Sequence, residues 1–142
     1  MWSDQGYLGK CQALSRLGYR PRLEVGMLIG RGFADLGFEV FVLQPADKLL
    51  SLFTSTVSSL PPADSLDRAN FFHVILVDEA VNVLLELGSE ISSLEFRDKR
   101  EWFLSLDNGD SPTETYHARD LEQVFIDALL DLYQQKKQNS DV

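Results

Sequence analysis

At 142 residues, with 44% hydrophobic and 25% charged side chains, the chain has the size and composition of one soluble globular domain that can bury its own core. Its single cysteine, Cys11, excludes an intramolecular disulfide. The net charge of −9 is uneven: residues 1–60 hold five acidic and six basic side chains, and the remainder holds seventeen and seven, an excess that repels phosphate backbones and argues against nucleic-acid binding.

Met1-Trp2-Ser3-Asp4 lacks the basic stretch and apolar core of an export signal. The longest apolar run, Phe71 to Val77, contains His73 and is too short to span a bilayer. A cytoplasmic protein with no membrane partner is the expectation.

In chain order, Gln5 to Leu17 reads as a first helix, with Leu8, Cys11, Leu14 and Leu17 on one side. Cys11 is expected to be a small core residue there. Gly18-Tyr19-Arg20-Pro21 is a stop and turn. Leu23 to Leu36 reads as a second helix closed by Gly37 at its C′ position, and the competing reading is a strand Leu23–Ile29 that turns back at Gly30-Arg31-Gly32. Glu39 to Leu43 is a strand. Asp47 to about Leu60 reads as a third helix with Leu49, Leu50, Phe53 and Val57 on its apolar face, although Thr54, Ser55, Thr56, Ser58 and Ser59 weaken it.

Pro61 to Ser65 is a loop. Phe71 to Val77 is a strand that feeds a helix ending at Gly88. Ile91 to Arg97 and Glu101 to Leu106 alternate around the charged turn Arg97-Asp98-Lys99-Arg100, which predicts a β-hairpin, with one helix over Leu94–Leu106 as the alternative. Asp107 to Pro112 is a breaker cluster. From Leu121 the stripe Leu121, Val124, Phe125, Ala128, Leu129, Leu132 and Tyr133 predicts an amphipathic C-terminal helix. Asp120, Glu122, Lys136 and Lys137 match its dipole. The fold expected is α/β or α+β: a small single domain over residues 1–137, a sheet of about four short strands with helices packed on it, and a disordered tail at 138–142.

The chemistry-bearing residues do not assemble into a catalytic motif. Val74 to Glu79 has the form of an acidic strand end that could hold a metal's water shell, but no phosphate-binding glycine loop accompanies it, and Asp78 as helix N-cap explains the same residues. Gly30-Arg31-Gly32 lacks the third glycine of a dinucleotide fingerprint. His73 and His117 lie on different elements, and one cysteine provides no zinc spacing. The expectation is therefore no catalytic residue, no metal and no cofactor.

Trp102 and Phe103 stand out, because neighbours on a strand point to opposite faces and only one can enter the core. With Phe96, Arg97 and Arg100 they form the candidate interaction site, since aromatics among mixed charge suit an interface. The reading is a non-catalytic acidic protein that binds another protein, one with a basic face or a second copy in a homodimer. The alternative is a ligand- or nucleotide-binding domain, or small enzyme, with its site at the strand ends near Asp78 and Glu79.

Overall fold

The computed structural model describes residues 4–33, 37–109 and 113–140. The chain divides at Val74/Ile75 into two compact units.

In the first unit, helix α1 (Gln5–Arg16) starts where the Asp4 carboxylate accepts hydrogen bonds from the Gly6 and Tyr7 amides at 2.8 and 3.2 Å. It buries Tyr7, Leu8, Cys11 and Leu14. At its end the Gly18 and Tyr19 amides donate back to the Ser15 and Leu14 carbonyls, so the predicted stop is a Schellman turn.

Five strands follow: β1 (Leu28–Phe33), β2 (Gly37–Gln44), β3 (Lys48–Ser51), β4 (Val57–Ser59) and β5 (Phe71–His73). They form one antiparallel sheet in the order β4-β3-β2-β1-β5. Helix α1 packs on β1, β2 and β5.

Two predicted helices are strands. Residues 28–33 belong to β1, which is hydrogen-bonded on both sides, to β2 and to β5. The competing strand reading had the right element type, but Gly30 and Gly32 lie inside the strand and not at its turn. Gly30 is needed there for packing, because a Cβ at that position would collide with the Phe72 ring across the pair. Gly37 opens β2 and closes no helix. Residues 23–27 of that predicted helix are irregular, with a turn at Val25–Gly26, and Ala34 to Leu36 lie outside the described residues.

The predicted helix from Asp47 to Leu60 is the hairpin β3–β4. Along β3, burial alternates strand-fashion: Leu49 and Ser51 are buried, Lys48 is exposed and Leu50 lies between. The Ser51 hydroxyl accepts from the Phe53 and Thr54 amides and donates to Glu39, which builds the turn. The hydroxyl-rich residues that weaken a helix supply this turn and strand.

In the second unit, helix α2 (Val77–Glu86) begins one residue before Asp78, and β5 ends at His73. Asp78 is therefore not the cap expected of it. Its neighbour Glu79 reaches back to accept from the Leu76 amide at 2.9 Å, the carboxylate half of a capping box. Gly88, at φ +84, closes α2 with a second Schellman turn: the Gly88 and Ser89 amides donate to Leu85 and Leu84.

The hairpin predicted at residues 91–106 is present as β6 (Glu90–Arg97) and β7 (Glu101–Asp107). A third strand, β8 (Glu114–Ala118), escaped the sequence reading and pairs with β7. Asp110 to Pro112, part of the predicted breaker, lie outside the described residues.

Helix α3 (Leu121–Ser140) follows the predicted stripe and continues helical through Gln138–Ser140. It packs on α2, β7 and β8. Val124, Phe125, Ile126, Ala128 and Leu129 are buried with Leu84, Leu104 and Leu106. The architecture is α+β, with two antiparallel sheets of five and three strands where one sheet of about four was expected.

Replacing Gly30 by Ala overpacks the Phe72 contact and should destabilise the protein by about 1–3 kcal/mol. A lowered urea midpoint at an unchanged denaturant slope is the expected result.

Candidate functional site

The three-stranded sheet is ordered β6-β7-β8, so β6 is an edge strand. Its register fixes which side chains share a face. Ile91 stands opposite Leu106, Leu94 opposite Leu104 and Phe96 opposite Trp102. Leu104 and Leu106 are fully buried on that face, while Ile91, Leu94 and Phe96 remain 37%, 39% and 58% exposed. The Phe96 and Trp102 rings meet at 5.1 Å between centroids. The result is an apolar ridge along an open strand edge.

The opposite face is polar and closed by stacking. The Arg97 guanidinium lies 4.1 Å over the Phe103 ring, and Phe103 stacks on His117 at 5.6 Å. Arg97 also pairs with Glu95 at 3.1 Å, and His117 Nδ1 lies 3.4 Å from Glu101. Ser105 and Thr115 share a hydrogen bond on the same face.

The five predicted interaction residues are thus divided. Phe96 and Trp102 lie together on the ridge. Arg97 and Phe103 lie behind it and cover each other. Arg100 is exposed in the hairpin turn, with its backbone in the left-handed region at φ 59 and its amide donating to Arg97. The alternation of Trp102 and Phe103 is as the sequence implied; the contributions of Ile91 and Leu94 were missed. Leu94 shares the Phe96 face by simple alternation, whereas Ile91 shares it only because a bulge shifts its register. Ser92 has no ladder partner, and its hydroxyl donates to the Ser105 carbonyl at 3.0 Å.

Asp78 and Glu79, the alternative site, lie in the first turn of α2, where their charge suits the helix dipole. Among the described residues no group of three or more His, Cys, Asp or Glu side chains is arranged to hold a metal. No helix of the described residues is long and apolar enough to cross a membrane.

The first unit contains a cleft of about 690 Å³ that the sequence reading did not anticipate. Arg16, Arg20 and Arg68 line it, and among the described residues no acidic side chain does. Tyr19 and His73, both buried, meet at its wall through a 2.9 Å hydrogen bond between the phenol and Nδ1. Backbone carbonyls hold two of the arginines: Arg20 donates to Ser15 and Tyr19, and Arg68 to Pro61. The Ser65 hydroxyl also lines the cleft and is buried without a hydrogen-bond partner among the described residues. Arginines 16 and 68 are 52 positions apart, which explains why the set was not legible.

Comparison with protein-family models, with curated proteins and with solved structures gives no match to this chain.

Between β8 and α3 the Tyr116 hydroxyl lies 2.6 Å from both Glu114 and Asp131. Gln135 donates to Asp131 at 3.0 Å. Burial, and then hydrogen bonding to the two carboxylates, pushes the Tyr116 phenol far above its ordinary value. For Asp131, burial acts upward, but the hydrogen bonds donated by Tyr116 and Gln135 outweigh it and hold the carboxyl below its ordinary value.

The signs define two pH windows. A raised tyrosine pKa contributes stability that is complete below the unfolded value of 10.0 and is lost above it. A lowered aspartate pKa contributes stability that is present above the unfolded value of 3.8 and is lost as pH falls below it. Tyr116→Phe should therefore cost roughly 1.5 kcal/mol near neutrality, the scale of a hydrogen bond to a charged group. Paired melts of the two proteins should show that difference shrinking at both pH extremes.

Proposed function

We propose that this is a non-catalytic protein that binds another protein through the β6 edge of its second unit. The observation that carries the reading is the exposed ridge of Ile91, Leu94 and Phe96 on a strand whose outer edge is unpaired among the described residues. Such an edge offers main-chain donors and acceptors, and the ridge offers side-chain contacts, the two components of strand addition. Trp102, half-buried beside Phe96, supplies an aromatic anchor. The unit from Ile75 onward carries fifteen acidic and six basic side chains, which favours approach of a basic partner.

The test is a pull-down from native extract with quantitative identification of bound protein. Three baits are compared: the wild type, Leu94→Lys on the edge, and Arg68→Gln in the cleft. The expected result is a protein retained by wild type and by Arg68→Gln and lost with Leu94→Lys. Equal retention by all three overturns the edge as the binding surface.

A second reading is supported by the arginine-lined cleft. Three guanidinium groups, the buried Ser65 hydroxyl and a lining without a carboxylate among the described residues suit a small anionic ligand. Inorganic phosphate at constant ionic strength should then raise the melting temperature of the wild type more than that of Arg68→Gln. The same rise in both proteins would remove this reading.

A further inference from the structure

The bulge gives β6 an internal symmetry that its sequence hides. With Ser92 looped out of the ladder, the paired positions run Glu90, Ile91, Ser93, Leu94, Glu95, Phe96, Arg97. Leu94 is the central position. A two-fold rotation about it places Phe96 opposite Ile91, Glu95 opposite Ser93 and Arg97 opposite Glu90. Each pairing is chemically complementary: apolar with apolar, carboxylate with hydroxyl, cation with anion. The faces agree as well, since Ile91, Leu94 and Phe96 all share the ridge face, and residues directly opposite in an antiparallel pair share a face. Without the bulge, Ile91 would fall on the other face and the pattern would be lost.

We propose that β6 pairs antiparallel with β6 of a second copy of this chain, about a two-fold axis at Leu94, joining two three-stranded sheets into one of six strands. This rests on the edge-binding reading above and names the occupant of that edge. The contact is isologous, so every pairing occurs twice. Bulges and charges on an edge strand ordinarily keep it single. Here the charges stand where the two-fold pairs them with opposite charges, and the apolar residues between them are left exposed. The acidic excess of the second unit opposes the approach of two copies at long range. At an ionic strength of ~0.15 M, charges more than about 8 Å apart are screened while the contact pairs persist.

The experiment is sedimentation velocity of the full chain at that ionic strength, over micromolar to submillimolar concentrations. The wild type should show a concentration-dependent monomer–dimer equilibrium. Glu90→Arg places two arginine–arginine contacts across the axis, and Arg97→Glu places two glutamate–glutamate contacts. Each variant alone should dimerise roughly tenfold more weakly or worse. Mixed in equal amounts, the two restore both opposite-charge contacts and should form a heterodimer of about wild-type affinity. Both side chains are exposed, and a cooperative thermal melt establishes that each variant folds, Arg97→Glu at a lower temperature because it gives up the stack on Phe103.

A dimer that is indifferent to the charge changes and to Leu94→Lys overturns the proposal, as does a mixture that fails to recover. A wild type that stays monomeric also overturns it. If the pull-down difference at Leu94 persists in that case, the edge-binding reading stands with another occupant. If it is absent, both fall.

Discussion

The first unit depends on β1 being able to pair on both sides, and that depends on the bare backbone at Gly30. The Phe72 ring occupies the space where a side chain at residue 30 would be. Phe72 in turn meets Phe38 edge-on at 5.7 Å. The contact therefore ties together the three strands on which α1 packs. The residue after Phe72 is His73, which meets Tyr19 at 2.9 Å, so the strand that fills the space at Gly30 also forms part of the cleft wall.

A different constraint governs the second unit. Its sheet is covered on one face by α3, and α3 contacts β7 and β8. The covering is asymmetric, so the burial of apolar side chains falls off along the β7–β6 direction. Leu104 and Leu106 disappear into the core, while their neighbours across the ladder do not. On the other face, Arg97 and His117 stack on Phe103 and leave it half-buried. The two faces of β7 thus use different means to cover adjacent aromatic residues. Trp102 and Phe103, adjacent in sequence, end up with unrelated surroundings.

Elements held by local patterns were legible in the sequence. Helices α1 and α3 follow their apolar stripes, and α2 ends at Gly88 because only a left-handed residue closes that turn. The β6–β7 hairpin was legible from alternation on both sides of a charged turn. The failures share one cause. In β1, spacing such as Leu23, Met27 and Gly30 is helical only when local periodicity is considered, and pairing with β2 and β5 overrides it. In β3 and β4 the apolar residues Leu49, Leu50, Phe53 and Val57 fit a helix wheel, yet only Leu49 is buried among them. The candidate site was half legible for the same reason. Phe96 and Trp102 follow from composition and alternation, and the same alternation puts Leu94 on their face, whereas Ile91 joins them only because of the bulge at Ser92. The arginine cleft left no trace, since its side chains come from the end of α1, the segment after it and a short 3-10 helix.

The strand order of the first sheet has a consequence for synthesis. Strands β1 to β4 form consecutive hairpins, but β5, the strand that covers the remaining edge of β1, is the last of the five to be made. At about 5–20 residues per second, the ribosome takes roughly 1.5–6 s to go from Gln44, where β2 ends, to His73. Hairpin closure is complete within microseconds of the residues becoming available. Throughout that interval the nascent sheet carries β1 as an uncovered edge beside a glycine gap shaped for an aromatic ring. A growing chain delayed there presents to its neighbours on the same messenger the vacancy that Phe72 later fills.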